Sequence, residues 1–370
     1  MPSGVTVIIP AHDEEAGLPA TLDSVLSQTI LPERVLVVDD ASRDRTHAVA
    51  LSYAEYGVEV IRPPANLGSK ARAQNHALPY CATPLILAVD ADTVLAPDYI
   101  ERILPAFADP TVTVAAGAVQ TRYTRTLWER GRSTEYLFGF HWHRPIQQGA
   151  NSPMVCSGCC SVFRRSALMA AGGFPERTIV EDMDFTWTEQ IAGRRARYVS
   201  TAVAWAADPE TLRYLRKQVW RWMAGYCQNV RLHTGALLRH KPILALWVLL
   251  ALVEILLAPL WWSAPLILTL GYGQPALPTW SWWIGSELLL TLPPLVYAVR
   301  RRGLSLWQVL LNLPCVYPTK IVNLCYAWKA LAVELVGVPL RLTRGLTVYE
   351  KGRGPAAAAA GIRPRTASPW

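Results

Sequence analysis

Asp90-Ala91-Asp92 is a pair of carboxylates two residues apart, directly after the apolar run 84–89. Two such groups aimed out of a strand end can hold a divalent ion against a diphosphate. Mg²⁺ and Mn²⁺ are hard cations that take oxygen ligands, phosphate oxygens among them. A nucleoside diphosphate leaving group then departs with its charge neutralised. In a solvated loop the same two acids would have no such role. Asp39 ends another apolar run and could accept from a base N–H or a ribose hydroxyl. Equally, it could belong to the cap of a helix starting near Arg43, where Asp40 or Ser42 serves as well. Lys70 and Arg72 open a helical segment and either meet phosphate or form a solvated basic face. Glu181-Asp182 stands at the start of a further helical segment. A carboxylate facing a cleft there can take a proton from an acceptor hydroxyl, or it can simply cap the helix. Cys156, Cys159 and Cys160 make one CxxCC without a second ligand pair, so structural zinc, which needs four ligands, is not expected. His141 and His143 read as packing or surface residues.

These groups need a scaffold, and the hydrophobic periodicity supplies one. Residues 5–9, 34–38, 58–61 and 84–89 read as strands, and residues 16–28, 43–55 and 69–79 as the helices between them. Alternating units of this length predict an α/β fold with a mostly parallel sheet covered on both faces. Ligands in such sheets bind beyond the carboxyl ends of the strands. The acidic ends His12-Asp13-Glu14-Glu15, Asp39-Asp40 and Asp90-Ala91-Asp92 should therefore converge on one edge. The glycine fingerprint of dinucleotide folds is absent.

The chain has 370 residues, 51% hydrophobic and 17% charged, with a formal net charge of +8. Its apolar residues are unevenly spread. Residues 243–299 contain no Lys or Arg, and their only acids are Glu254 and Glu287. Most tryptophans fall from Trp220 onward, as a membrane interface selects. A purely soluble enzyme and a many-span transporter are both disfavoured. Residues 243–262 and 281–299 are candidate spans, since a span needs about 20 apolar residues. A third short span near 263–272 stays open because Pro259 and Pro265 should make the exit irregular. Residues 304–336 read as interfacial or packed helices, with a return hairpin as the alternative. A helix over roughly 209–233 mixes Arg and Trp and suits a membrane surface. Basic residues before the first span and Arg300–Arg302 after the second put both ends inside. The first residues do not resemble a signal peptide, and seven cysteines at irregular spacing do not suggest a disulfide framework. The front domain is expected in the cytoplasm, on a multi-pass membrane protein. No nucleic-acid motif accompanies the positive charge.

The motifs VTVIIPAHDEE (5–15), VVDDAS (37–42), KARAQN (70–75), AVDADT (88–93), FRRSAL (163–168), GGF (172–174), VEDMD (180–184) and QVWRW (218–222) occur in one order. In that order the chain resembles the family 2 glycosyltransferases with a GT-A fold, over about residues 4–235. The membrane-bound branch, with cellulose, chitin and hyaluronan synthases and ceramide glucosyltransferases, is the nearest in pattern. The resemblance implies that Pro10, His12, Glu14 and Asp39 line the nucleoside pocket, with Lys70 near the nucleotide. It implies that Asp90 contacts the nucleotide, that Asp92, with Asp90, ligates Mg²⁺ or Mn²⁺, and that Asp182 is the general base. Gln218, Arg221 and Trp222 match QxxRW: Arg221 meets the diphosphate, and Gln218, Trp222 and Glu181 face the acceptor. An indole face suits a sugar ring and a guanidinium fork suits phosphate. His12-Asp13 replaces the commoner Tyr-Asn of the family, and Ser69 and Arg72 replace its small residues around the lysine.

The expectation is an inverting, metal-dependent transferase. It moves a sugar from a nucleotide-sugar donor, UDP-linked, to a lipid-linked or growing polysaccharide acceptor at the membrane face. Expected partners are that donor, the glycan or lipid acceptor and membrane lipids, with further membrane subunits a possible addition and no nucleic acid. A polyprenyl-phosphate glycosyltransferase and a non-catalytic membrane scaffold of the same fold are the alternatives. The expected organisation is a GT-A domain over 1–208, an interfacial helix over 209–242, two to four spans or interfacial helices over 243–340, and a basic, disordered tail over 341–370.

Overall fold

The computed structural model describes residues 3–346. Its centre is an eight-stranded mixed sheet built from β1 (Val5–Ala11), β2 (Arg34–Asp39), β3 (Val58–Ile61), β4 (Leu85–Val89), β5 (Thr93–Leu95), β6 (Val112–Thr121), β7 (Cys160–Arg164) and β8 (Arg195–Ala206). The order across the sheet is β3-β2-β1-β4-β7-β6-β8-β5. β1 pairs in parallel with β2 and β4, and β2 with β3. β7 runs antiparallel between β4 and β6.

The inner strands are apolar on both faces because both faces are covered. Val7 and Ile9 pack into one core layer with Leu18 and Leu22, while Ile8 packs into the other with Leu36, Ala73 and Phe163. This is the two-residue period of a strand. The first layer comes from α1 (Leu18–Leu26) and α2 (Thr46–Leu51), and the second from α3 (Lys70–Ala77). α4 (Tyr99–Ile103), α5 (Leu127–Phe138), α6 (Arg144–Gly149), α7 (Arg165–Ala170) and α8 (Glu181–Ile191) complete the α/β part. The chain runs β1, β2, β3 outward, then returns to place β4 on the other side of β1. The carboxyl ends of β1 and β4 therefore border the crevice where the winding reverses.

The helix expected over 209–233 extends further, as α9 (Leu212–His240). Thr211 caps it by accepting from Tyr214 N at 3.3 Å. One face of α9 packs on α8, and Gly225 lets the helix approach closely: a Cβ there would lie 2.5 Å from Val180. Trp220 faces neighbouring helix rather than open surface, with the Lys329 ammonium 4.1 Å from its ring. α10 (Pro242–Leu266), α11 (Ala276–Arg302) and α12 (Leu306–Ala330) follow. Both α10, with its extension to Gly271, and α11 are long and apolar enough to cross a membrane.

The region near 263–272 is not a separate third span, because α10 runs unbroken through Pro259 and Pro265. A proline removes the donor to the carbonyl four residues earlier. Here indole N–H groups from the neighbouring helices fill both gaps. Trp328 Nε1 donates to Ile255 O at 3.1 Å, and Trp283 Nε1 to Trp261 O at 3.0 Å. Residues 306–330 form one helix rather than a hairpin. α12 meets α5 at Gly131, where a Cβ would collide with Thr319 and Cys315. The tail expected to be disordered lies outside the described residues beyond Leu346.

Candidate active site

A cavity of about 1110 Å³ opens over the crevice between β1 and β4. Pro10, His12 and Glu14 line it from the end of β1, Asp90 and Asp92 from the end of β4, and Lys70 from the start of α3. Glu181 and Asp182 reach it from α8, and Gln218, Arg221 and Trp222 from α9. Residues up to 212 positions apart thus line one cavity. Asp39 lies behind it. As the last residue of β2 it is fully buried, accepting from Ser42 N at 3.1 Å and facing Arg62 and His47 at 3.1 Å each. Its neighbour Asp40 lines the cavity instead. The helix there begins at Thr46, not near Arg43, and Asp44 rather than Asp40 or Ser42 accepts from Thr46 N at 2.9 Å.

Two tight strand-end turns build the side of the cavity at β1 and β2. Asp13 and Ala41 both have left-handed backbones, with φ 54° and 53°. The turns clamp each other: Asp13 N donates to Ser42 Oγ at 3.1 Å and Arg43 N to Asp13 Oδ1 at 2.8 Å. His12 Nδ1 meets the Asp40 carbonyl at 2.8 Å, and Asn66 donates to that carbonyl at 3.1 Å. Burial pushes the Asp40 carboxyl up, against the Leu67 N–H that holds its charged form.

Lys70 organises the centre. Its ammonium is 2.5 Å from Asp90 Oδ1 and 3.6 Å from Glu181 Oε1, and it donates to Gly158 O at 3.0 Å. Burial opposes its charge, but Asp90 and Glu181 outweigh burial and hold the ammonium above its ordinary range. Glu181 is pushed up by burial and drawn back by Lys70. Asp182 is held by two backbone donors, Gly158 N at 2.7 Å and Met183 N at 2.8 Å. Gly158 is needed at this point. A Cβ there would lie 3.1 Å from Lys70 Nζ and 3.3 Å from Asp182 Oδ2.

Sequence reasoning missed the support on the far wall. Arg132 of α5 is buried, donates to Glu135 Oε2 at 2.6 Å and to Gln218 Oε1 at 3.3 Å, and lies 5.0 Å from the Trp222 ring. Asp208 lines the cavity just past β8, a strand-end acid like the others, so the same rule would have found it. Burial pushes its carboxyl up to about 6, with Arg132 drawing it back and the like charge of Asp92 adding to the rise. Asp208 Oδ1 accepts from the Tyr136 hydroxyl at 2.9 Å, while Oδ2 is buried without a hydrogen-bond partner. A divalent cation fits this oxygen-rich, half-satisfied corner. Among the described residues no three His, Cys, Asp or Glu side chains form a ready-made metal cluster. Mg²⁺-type ions held by one or two carboxylates and substrate phosphates do not need one.

Beyond Trp222 the cavity turns apolar. Met223 and Tyr226 of α9 and Ala251 and Ile255 of α10 carry its lining into the apolar helices.

The family profile described as Glycosyl transferase family 2 matches residues 6–172. Two proteins named N-acetylglucosaminyltransferase, from Rhizobium leguminosarum bv. viciae and Sinorhizobium fredii, are each 30% identical to the chain. The first alignment spans 87% of this chain and 79% of its relative, and the second 88% and 82%. A poly-beta-1,6-N-acetyl-D-glucosamine synthase from Staphylococcus aureus is 25% identical, over 60% of this chain and 54% of its own. In structure the chain is similar to the mannosyltransferase PcManGT from Pyrobaculum calidifontis, solved with GDP-Man and Mn²⁺. That match has a TM-score of 0.63 at 22% identity, covers 90% of this chain and 87% of the other, and speaks for a shared GT-A-like fold.

Proposed function

The chain belongs to glycosyl transferase family 2, and from that premise we propose that it is an inverting N-acetylglucosaminyltransferase using a UDP-linked donor. The observation that carries this reading is the single cavity lined by Asp90, Lys70, Asp182 and the Gln218–Trp222 segment. Two relatives with alignments over most of the chain are named for N-acetylglucosamine transfer, which favours that sugar.

The nucleoside sits over the clamped turns of β1 and β2, near His12 and Glu14. Lys70 and Arg221 meet the diphosphate, Arg221 through its fork of donors. Asp92 and Asp90 would hold Mg²⁺ or Mn²⁺, with Asp208 close by, and the ion would neutralise the leaving diphosphate. Asp182 accepts the proton of the acceptor hydroxyl as that oxygen attacks the anomeric carbon opposite the leaving group. Backbone N–H bonds from Gly158 and Met183 fix the carboxylate so that no reorientation is needed at the moment of transfer. Trp222, braced by Arg132, offers its face to the acceptor sugar.

The apolar end of the cavity favours an acceptor with a hydrocarbon portion or one presented at a bilayer. α10 supports a membrane setting, since only 11% of its most apolar window is buried and unburied apolar helix surface favours lipid. A polyprenyl-phosphate acceptor would call for cations where this wall has Glu181 and Asp182, so a hydroxyl acceptor is the better fit. UDP release by the detergent-solubilised protein tests the reading. It is measured across nucleotide sugars with Mg²⁺ or Mn²⁺, with and without lipid extract. Release from UDP-N-acetylglucosamine that Asp182→Asn abolishes supports it, and nucleotide binding without release from any donor or acceptor overturns it.

A further inference from the structure

A second, smaller cavity of about 290 Å³ lies at Ser200 and Thr201 of β8, between α4 and the end of α11. Its lining carries three guanidiniums, Arg102, Arg301 and Arg302, against one carboxylate, Asp98. Asp98 is already engaged by Arg102 at 2.9 Å. Two polar atoms here are buried and unpartnered: Arg302 Nε and His141 Nε2. His141 is 1% exposed and sits in the π-helical turn Gly139–His143 between α5 and α6. A bulge in β8 breaks the ladder between the Gly117–Val199 and Ala118–Val203 pairs. The bulge carries Ser200 and Thr201 to the rim, where Ser200 Oγ accepts from Arg301 at 3.2 Å. Bulges commonly re-aim side chains in this way.

An unpartnered buried polar atom costs free energy unless something satisfies it. Two such atoms beside Arg301 and Arg302, with Arg102 held by Asp98, describe a recess suited to an anion with several acceptor oxygens. We propose that this cavity binds a phosphate group, with Arg302 and His141 at its floor and Arg301, Ser200 and Thr201 at its rim. Phosphate suits it because guanidinium forks match its oxygens. The headgroup of an anionic phospholipid is the favoured source. Arg300–Arg302 form the end of an apolar helix long enough to span, which is where basic residues meet lipid headgroups. The cavity would then anchor the transferase sheet to the bilayer. Occupancy of the phosphate site does not depend on the transfer chemistry proposed above.

The test uses the full chain in detergent, with UDP at saturation to occupy the transferase cavity. Binding is measured for dihexanoyl phosphatidic acid, for inorganic phosphate and for dihexanoyl phosphatidylcholine as a zwitterionic control. The expected result is saturable phosphatidic acid binding that Arg302→Gln weakens about tenfold or more, as loss of a charged hydrogen-bond donor implies. Inorganic phosphate binding with the same dependence on Arg302, and no gain from the lipid, supports the site and makes free phosphate its ligand. Should Arg302→Gln not fold, Arg301→Gln and Thr201→Glu, both at exposed positions, must weaken binding instead. No saturable binding of either anion, or binding unchanged in the folded variants, overturns the proposal.

Discussion

Lys70 Nζ stands 2.5 Å from Asp90 Oδ1, and this contact ties the start of α3 to the end of β4 across the crevice that separates them. The ammonium also faces Glu181 and keeps the site's carboxylates together. Its removal leaves these acids without their nearest cation, and since the Asp90 side chain is 36% exposed the cost is about 1–3 kcal/mol, below that of a fully buried pair. Lys70→Met is expected to lower unfolding stability by about that amount and to weaken nucleotide binding. Lys70→Arg is not expected to restore it, because a planar fork cannot replace a compact ammonium shared between Asp90 and the Gly158 carbonyl. Denaturant unfolding and UDP titration of both variants check this.

Asp182 and Glu181 are adjacent but differently held, and the proposed proton acceptor follows from that difference. Asp182 rests on two backbone N–H groups, whereas Glu181 faces Lys70 and is pushed up by burial. Asp182→Asn keeps the shape and removes the base, so turnover should fall by about 10²–10⁴ with UDP affinity retained. Glu181→Gln should act mainly on KM for the acceptor. Equal losses of turnover in both variants would argue against a single base.

Gly158 lets backbone, Lys70 and Asp182 meet. An added Cβ would stand 3.1 Å from Lys70 Nζ and 3.3 Å from Asp182 Oδ2, so both groups would have to give way. Gly158→Ala is therefore expected to fold with little loss of stability and to lower kcat more than donor affinity. Steady-state kinetics beside a thermal unfolding curve separates these effects.

The first four strands were legible as short runs of mostly apolar residues, three of them closed by acids and the third by Arg62-Pro63-Pro64. The cavity's main residues were legible for the same reason: strand ends in a parallel sheet point to one edge. Asp39 and Asp40 were not separable by type or spacing. Which of the two enters the cavity depends on the left-handed turn at Ala41, and nothing in the residue type of an alanine announces it. Arg132 was invisible because it joins elements 86 residues apart through Gln218. The irregular exit of α10 was legible and appears as the π-helical turn Ile267–Gly271, but whether 263–272 formed a separate span was not, because the donors that serve its prolines, Trp283 and Trp328, come from other helices.

Those two indoles make a prediction of their own. Trp328→Phe and Trp283→Phe each leave a carbonyl of α10 unpaired at a proline while keeping an aromatic ring, though a smaller one, in place. An acceptor left unsatisfied where no water reaches it costs about 1–3 kcal/mol. Each variant should unfold earlier by that amount, and the double variant should show the sum, since the two sites share no partner. Amide exchange should rise around Ile255 in one variant and around Trp261 in the other.

Arg132 braces the acceptor wall through Glu135, Gln218 and the face of Trp222. Arg132→Lys keeps the charge and loses the fork and the stacking plane. It should raise KM for the acceptor and leave donor binding near its original value. Arg132→Met leaves Glu135 and Asp208 without their cation and is expected to cost about 3–5 kcal/mol of stability. An intrinsic fluorescence shift on acceptor binding, removed by Trp222→Phe and reduced in Arg132→Lys, would report the brace directly.

His141 gives the fold a pH dependence whose sign follows from its surroundings. Burial lowers it from 6.5 to about 4, with Arg302 and Arg301 adding to the fall. The unfolded chain therefore takes up a proton below about pH 6.5 that the folded chain refuses until about pH 4. Stability is complete above the unfolded value and is lost as pH falls through this window, by about 3 kcal/mol at most. His141→Gln removes the titration, so its stability difference from the native chain should shift toward the variant between pH 6.5 and 4. Phosphate bound in the proposed recess would stand beside the same ring and favour its protonated form. Phosphatidic acid should then move the window upward in the native chain and leave His141→Gln unmoved, which paired unfolding curves at pH 4.5, 5.5 and 7 can resolve.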